Sequence, residues 1–66
     1  MKTLTAIEFC FENTDAILYS KELSCKMWAS IPKGSIWMQR DDQYYPDTFT
    51  INSNLLAIDD WVLYEQ

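Results

Sequence analysis

The side chains capable of acid–base chemistry are carboxylates, and several of them occur as neighbouring pairs. Asp41-Asp42 and Asp59-Asp60 are candidate acid–base groups, because such catalysis needs carboxyl groups that face one substrate. Residues adjacent in sequence need not converge in space, and the chain has no histidine. Serine–histidine and cysteine–histidine catalytic pairs are therefore excluded. The sequence predicts a protein that is not an enzyme and has no catalytic residues.

The common metal and cofactor sites are also excluded. Cys10 and Cys25 do not form a C-x-x-C pair, and two isolated cysteines without histidine are too few ligands for zinc. Gly34 is the single glycine, so the chain has no glycine-rich loop to hold phosphates. We expect no metal, no cofactor and two reduced, buried thiols.

The beginning of the chain lacks the apolar run of a signal peptide. No segment approaches the ~20 apolar residues of a membrane span. Free thiols and the absence of these signals predict a cytoplasmic protein that does not enter a membrane.

Trp28 interrupts the polar side of an alternating segment, where Ser24, Lys26 and Ser30 are its companions. Three interpretations remain open: a helix or loop covers the indole, a second subunit covers it, or it stacks on a nucleobase. Stacking would contribute ~1–3 kcal/mol per base. Lys26, Lys33 and Arg40 would then be near enough to meet phosphates. The ligand-binding candidates are Trp28, Trp37, Lys26 and Asp60.

Charge is unevenly distributed along the chain, whose net charge is −5. All 5 Lys and Arg residues precede position 41, and together with four acids they give that part +1. The remainder has six acids and no cation. These acids are either solvated loops or a face for a basic partner, and direct binding to nucleic acid is not expected. The partner-binding candidates are Asp41, Asp42, Asp47, Tyr44 and Tyr45.

With 66 residues the chain is long enough for one domain, which we place at 1–66. Its 15% aromatic content argues against disorder. Segment 4–22 fits either a helix or a hairpin, and we favour helix. Thr5 to Glu8 resembles a capping box, and Ala6, Ile7, Cys10 and Phe11 would share one face. Residues 16–18 would form either a second short helix or a hairpin strand.

The middle of the chain predicts a hairpin. Residues 23–31 alternate between apolar and mostly polar side chains, 32–35 form a turn, and 36–40 return. A four-residue loop places Ala29 opposite Met38 and Trp37 diagonal to Trp28 on the same face. A three-residue loop would instead turn Trp37 toward the core. We favour the first register, because it keeps the apolar faces together.

The rest of the chain predicts a polar loop at 41–47, a strand at 48–51, a helical turn at 55–57 after an N-cap in 52–54, and a final strand at 59–65 with both faces covered. The predicted fold class is α+β, with a small antiparallel β-sheet of four or five short strands and one or two short helices.

Two short pieces of the sequence are similar to a family of small phage proteins. Leu55-Leu56-Ala57 and Asp60-Trp61-Val62 resemble an LLA-x-DW ending, with one additional residue between them. Residues 23–28 resemble a V-x-R-x-x-W strand, in which Trp28 matches the tryptophan and Cys25 replaces the arginine. Both features are similar to those of the second Thoeris anti-defence family and to a related anti-CRISPR type.

The resemblance implies an α+β fold with an antiparallel sheet, homo-oligomers, and sequestration of a cyclic ADP-ribose-type signal without catalysis. It assigns Trp28 to stacking and Asp60 to ligand hydroxyls, and it implies that Trp61 packs. The sequence thus predicts a phage counter-defence protein in the host cytoplasm that sequesters a nucleotide signal or inhibits an immune protein. The alternative is an acidic inhibitor that docks on a basic surface of a host nucleic-acid-binding protein.

Overall fold

A computed structural model describes residues 1–30 and 34–64 and contains two helices and one sheet. The helices are α1 (Thr3–Glu12) and α2 (Ser53–Leu56). The strands are β1 (Leu18–Ser20), β2 (Cys25–Ser30), β3 (Ser35–Arg40), β4 (Asp47–Thr48) and β5 (Trp61–Leu63). They form one sheet in the order β4-β3-β2-β1-β5, and every neighbouring pair is antiparallel. The predicted fold class is confirmed.

The helix predicted for segment 4–22 is confirmed only over α1, Thr3–Glu12. The helix begins one residue after Lys2, which makes no side-chain cap, so the capping box expected at Thr5 is wrong. It ends at Asn13, whose backbone and side-chain amides both donate to the Phe9 carbonyl, at 2.9 and 3.0 Å. Of the two alternatives for residues 16–18, the second short helix is wrong, because Leu18 already belongs to β1.

The β2–β3 hairpin keeps the predicted face and changes the predicted register. Trp28 lies directly opposite Trp37, Ala29 opposite Ile36, and Met27 opposite Met38. The expected pairing of Ala29 with Met38 is therefore wrong by two residues, a shift that leaves every side chain on the same face. Gly34 has the positive φ of 60° expected of the turn glycine. Ser35, expected in the turn, belongs to β3 and pairs with Ser30, so the turn prediction is wrong at that residue. Pro32, Lys33 and the Ile31 pairing lie outside the described residues.

One face of the sheet and α1 enclose the core; we call this face the helix face. Alternate residues of β2 are fully buried there, and Ala6 and Cys10 of α1 pack in the same cluster. Both free cysteines are buried, as expected. The buried apolar residues are Ala6, Cys10, Leu18, Cys25, Met27, Ala29, Ile58 and Trp61.

In the last third of the chain, the strand that follows the polar loop is shorter than predicted, and the chain then packs on the core. Of the expected strand 48–51 only Thr48 lies in β4. The Phe49 amide still donates to the Ile36 carbonyl of β3 at 2.9 Å, and the Phe49 ring packs edge-to-face on Trp61, with 6.5 Å between ring centroids. Asn52 caps α2 by accepting the Leu55 amide at 3.0 Å, as predicted for this segment. Trp61 is fully buried, as the resemblance implied.

The strand β5 forms one edge of the sheet. The prediction that both of its faces are covered is wrong. Val62 and Leu63 are 56% and 51% exposed. The described part of the chain contains no helix long and apolar enough to cross a membrane.

Candidate functional site

The second face of the sheet, here called the open face, is covered by neither α1 nor α2. The helix α1 packs on the helix face, and α2 packs on α1, whose Thr3 hydroxyl bonds to the Leu55 and Ile58 carbonyls. Strand alternation and pairing place four aromatic rings and several polar groups on the open face. Its described residues include Tyr19, Lys26, Trp28, Trp37, Gln39, Thr48, Val62 and Tyr64.

A groove of about 410 Å³ lies at one end of the open face. The rings of Tyr19 and Tyr64 meet there with centroids 5.7 Å apart and an interplanar angle of 49°. The Lys26 Nζ atom lies 4.8 Å from the centroid of the Tyr64 ring. The groove is lined by Tyr19, Lys26, Gln39, Arg40, Asp41, Gln43 and Tyr64.

Lys26 is the cation of the open face that lines the groove, with Asp41 beside it. Arg40 also borders the groove, but it lies opposite Cys25, so strand alternation places its side chain on the helix face. Asp41 accepts a 2.8 Å hydrogen bond from the Tyr19 hydroxyl, which raises the pKa of that phenol. The bond holds the Tyr19 ring in place and occupies one carboxylate oxygen. The groove therefore combines stacking surfaces with one positive group.

Trp28 and Trp37 extend this aromatic surface. Lys26 pairs with Gln39, and the two tryptophans form the pair two residues farther along the same strands. Two residues of a strand advance by about 6.6 Å, so the indoles lie next to the groove. Both tryptophans are half-buried. The structure therefore brings three of the four predicted ligand-binding residues together: Trp28, Trp37 and Lys26.

Asp60, the fourth, does not line the groove. One of its oxygens accepts a 2.6 Å bond from the Ser20 hydroxyl and the other a 2.8 Å bond from the Glu22 amide. The Ser20 bond, followed by the Glu22 bond, lowers the pKa of the Asp60 carboxyl against the opposing effect of burial. Both carboxylate oxygens thus hold the β1–β2 turn in place. Asp60 therefore has a structural role in the fold.

The predicted partner-binding residues lie on the segment that joins β3 to β4 and at the start of β4. Asp41 and Asp42 begin this segment and Asp47 ends it, with Tyr44 and Tyr45 at its tip. Tyr44 and Tyr45 are 93% and 80% exposed. The five predicted partner-binding residues form a surface separate from the groove. Among them only Asp41 also lines the groove.

Sequence reasoning missed Tyr19, Tyr64 and Gln39 as site residues. Tyr19 was not recognised as a residue of a strand face, because segment 4–22 is predicted to be helical. Tyr64 becomes its neighbour only through the pairing of β1 with β5, in which Tyr19 lies opposite Val62. Alternation within the final strand was the available signal, since it places Val62 and Tyr64 on one face.

A second cavity, of about 700 Å³, lies between β3, β4 and α2. Met38 and Leu55 contribute apolar surface, and Arg40, Asp42 and Asp47 are charged residues along its lining. Within residues 1–30 and 34–64, no group of three carboxylate or thiol side chains is placed to hold a metal ion. The groove remains the more specific candidate, because it places a cation beside aromatic rings.

No protein-family model, curated protein or solved structure matches the chain.

Proposed function

We propose that the protein is a non-enzymatic binding protein that holds a nucleotide on its open face. The observation that carries this proposal is the groove in which the Tyr19 and Tyr64 rings lie beside Lys26. A nucleotide has a flat base and an anionic phosphate, and these two parts correspond to the two kinds of group in the groove.

The aromatic surface gives the base a place to stack. A base on a protein ring contributes ~1–3 kcal/mol, and any base can stack because each has a flat π-face. The open face presents two tyrosines and two tryptophans for this purpose. Discrimination among bases would come from the polar groups of the groove, including Gln39 and Asp41.

The charge of the chain favours a small nucleotide over a polynucleotide. A long phosphate backbone would meet a protein with a net charge of −5, and such binding depends on many cationic contacts. Lys26 suffices for one phosphate. The proposed ligand class is therefore a mononucleotide or a cyclic or linear dinucleotide signal.

This binding mode agrees with the counter-defence role implied by the sequence resemblance. A protein that sequesters a nucleotide signal needs affinity and does not need to transform its ligand. We propose this phage counter-defence role together with the homo-oligomer and host-cytoplasm location that accompany it. Light scattering tests the oligomer directly.

The experiment is titration calorimetry of the whole chain with cyclic ADP-ribose, ADP-ribose and ADP. We expect at least one of these probes to bind, and chromatography to recover it unchanged. Lys26→Gln should weaken the binding at least tenfold, because it removes a phosphate partner. Lys2→Gln, which changes an exposed lysine outside the groove, should change the affinity less than twofold.

An aromatic pair of variants tests stacking separately. Tyr64→Leu should weaken binding at least fivefold, whereas Phe11→Leu alters an exposed ring of α1 and should have no effect. Absence of heat with all three probes would contradict the proposal. Equal losses in Lys26→Gln and Lys2→Gln would show that net charge, and not the groove, determines binding.

A further inference from the structure

The exposed tyrosine pair at the tip of the β3–β4 segment does not line the groove, so nucleotide binding there gives it no role. Tyr44 and Tyr45 are 93% and 80% exposed, and their ring centroids are 6.2 Å apart at an interplanar angle of 42°. Aromatic side chains bury large areas when they bind, and tyrosine is enriched at protein interfaces. Two adjacent rings left this exposed form a contiguous surface that a protein partner can cover.

The segment is braced at its base before any partner arrives. Gln43 accepts the Arg40 amide at 2.8 Å through its side-chain oxygen and donates to Asp47 at 2.8 Å through its side-chain nitrogen. The Gln39 side chain also donates to the Gln43 carbonyl at 3.1 Å. These bonds hold the two ends of the segment together. A preformed segment loses little conformational entropy on binding, which favours its use as a recognition element.

The charge around the tip specifies the chemistry of the partner. Asp41, Asp42 and Asp47 lie in or beside the segment, and Arg40 is the neighbouring cation. The Asp41 amide donates to the Ser24 carbonyl at 2.9 Å, which places the β1–β2 turn and its Glu22 at the same end of the sheet. A nucleic acid or an anionic membrane would be repelled here, whereas a basic protein surface would be attracted.

We propose that Tyr44 and Tyr45 form the centre of a docking surface for a protein with an arginine-rich face. The tyrosine rings would be covered by guanidinium groups through cation–π contacts, which arginine makes more often than lysine. The exposed carboxylates would form the rim and pair with arginine in a bidentate manner. This surface shares Asp41 with the nucleotide groove and is otherwise formed by different predicted site residues.

The test uses the whole chain and two peptide probes, an arginine nonapeptide and a lysine nonapeptide of equal charge, in biolayer interferometry at two salt concentrations. The arginine peptide should bind at least fivefold more tightly than the lysine peptide. Tyr44→Ser/Tyr45→Ser should weaken the arginine complex at least tenfold and remove this preference. Phe11→Ser, on an exposed ring of α1, should leave both affinities unchanged.

A matched pair of charge variants isolates the location of the acids. Asp42→Asn/Asp47→Asn should weaken binding and reduce its salt dependence more than Glu8→Gln/Asp15→Asn, which removes equal charge from exposed positions elsewhere. Equal effects of the two pairs, or no effect of the tyrosine variant, would overturn the proposal. So would light scattering that shows a dimer in the parent chain and a monomer in the tyrosine variant, because the occupant would then be a second copy. Unchanged melting curves and unchanged nucleotide binding verify that the variants are folded.

Discussion

At the scale of single residues, the role of a carboxylate depends on partners distant in sequence. Asp60 belongs to a motif that suggested ligand binding, yet its oxygens bond to Ser20 and Glu22, which lie 40 and 38 positions earlier. Local sequence contains no information about those partners. Trp28 and Lys26 were predictable, because strand alternation alone places them on one face.

Asp60→Asn should change how stability depends on pH. The pKa of Asp60 is lowered in the folded protein, so its contribution is complete above the unfolded value of about 4 and is lost as the pH falls through the folded value. The variant should unfold at a lower urea concentration at pH 7, and its stability should decline less below about pH 4. Urea titrations from pH 7 to pH 2 measure both effects.

Asp59→Asn is the matched control, because Asp59 is the exposed neighbour of the same type. It should retain the acid-dependent loss of stability seen in the parent chain. If Asp60→Asn and the parent chain had parallel pH profiles, the hydrogen bonds to Ser20 and Glu22 would not be stabilising the ionised carboxylate.

At the scale of elements, alternation predicted strands and faces well and predicted pairings poorly. The β2–β3 hairpin kept its faces in spite of a two-residue shift, because any even shift preserves the alternation. The strands β1, β4 and β5 have only three, two and three residues. Periodicity cannot be recognised over such lengths. This is why Tyr19 and Tyr64, whose contact depends on the β1–β5 pairing, were not predicted to form a site.

The hydroxyl of Thr3 links α1 to α2 and to β5, and Thr3→Val should therefore destabilise the protein. It accepts a 3.0 Å hydrogen bond from the buried indole nitrogen of Trp61 in β5, and it lies within bonding distance of the Leu55 carbonyl of α2. Valine has nearly the same shape and leaves the indole donor without that acceptor. We expect a loss of about 1–3 kcal/mol in the free energy of unfolding, measured by urea denaturation.

Thr3→Ser is the informative control, since it keeps the hydroxyl and removes only a methyl group. Its loss should be close to the ~0.8 kcal/mol of one buried methylene or methyl group. A larger loss in the serine variant than in the valine variant would mean that packing of the methyl group, and not the bond to Trp61, holds the junction.

At the scale of the whole molecule, the fold is one sheet with helices on one face. The Cα radius of gyration is 10.7 Å, close to the value of about 11 Å for a compact chain of this length. A short chain buries only about 60% of its unfolded surface, and among the described residues no helix lies over the aromatic open face. The same small size leaves the rings of Tyr19, Trp28, Trp37 and Tyr64 partly exposed.

The two cysteines provide a test of whether this small core opens as a unit. Cys10 of α1 and Cys25 of β2 are both fully buried within the core cluster. Burial raises the pKa of each thiol to about 11, so at pH 8 only about one thiol in a thousand would be the reactive thiolate. Modification by Ellman's reagent should therefore require an opening that separates α1 from the sheet.

We expect both thiols to react at the same slow rate, and the free energy of opening calculated from that rate to equal the free energy of unfolding by urea. The single variants Cys10→Ala and Cys25→Ala assign the two reactions, each compared at its own measured stability. A common rate faster than the free energy of unfolding allows would show that α1 separates while the sheet remains paired, because that opening exposes Cys25 as well as Cys10. The core would then consist of two cooperative units, and a ligand bound to the open face would leave both rates unchanged.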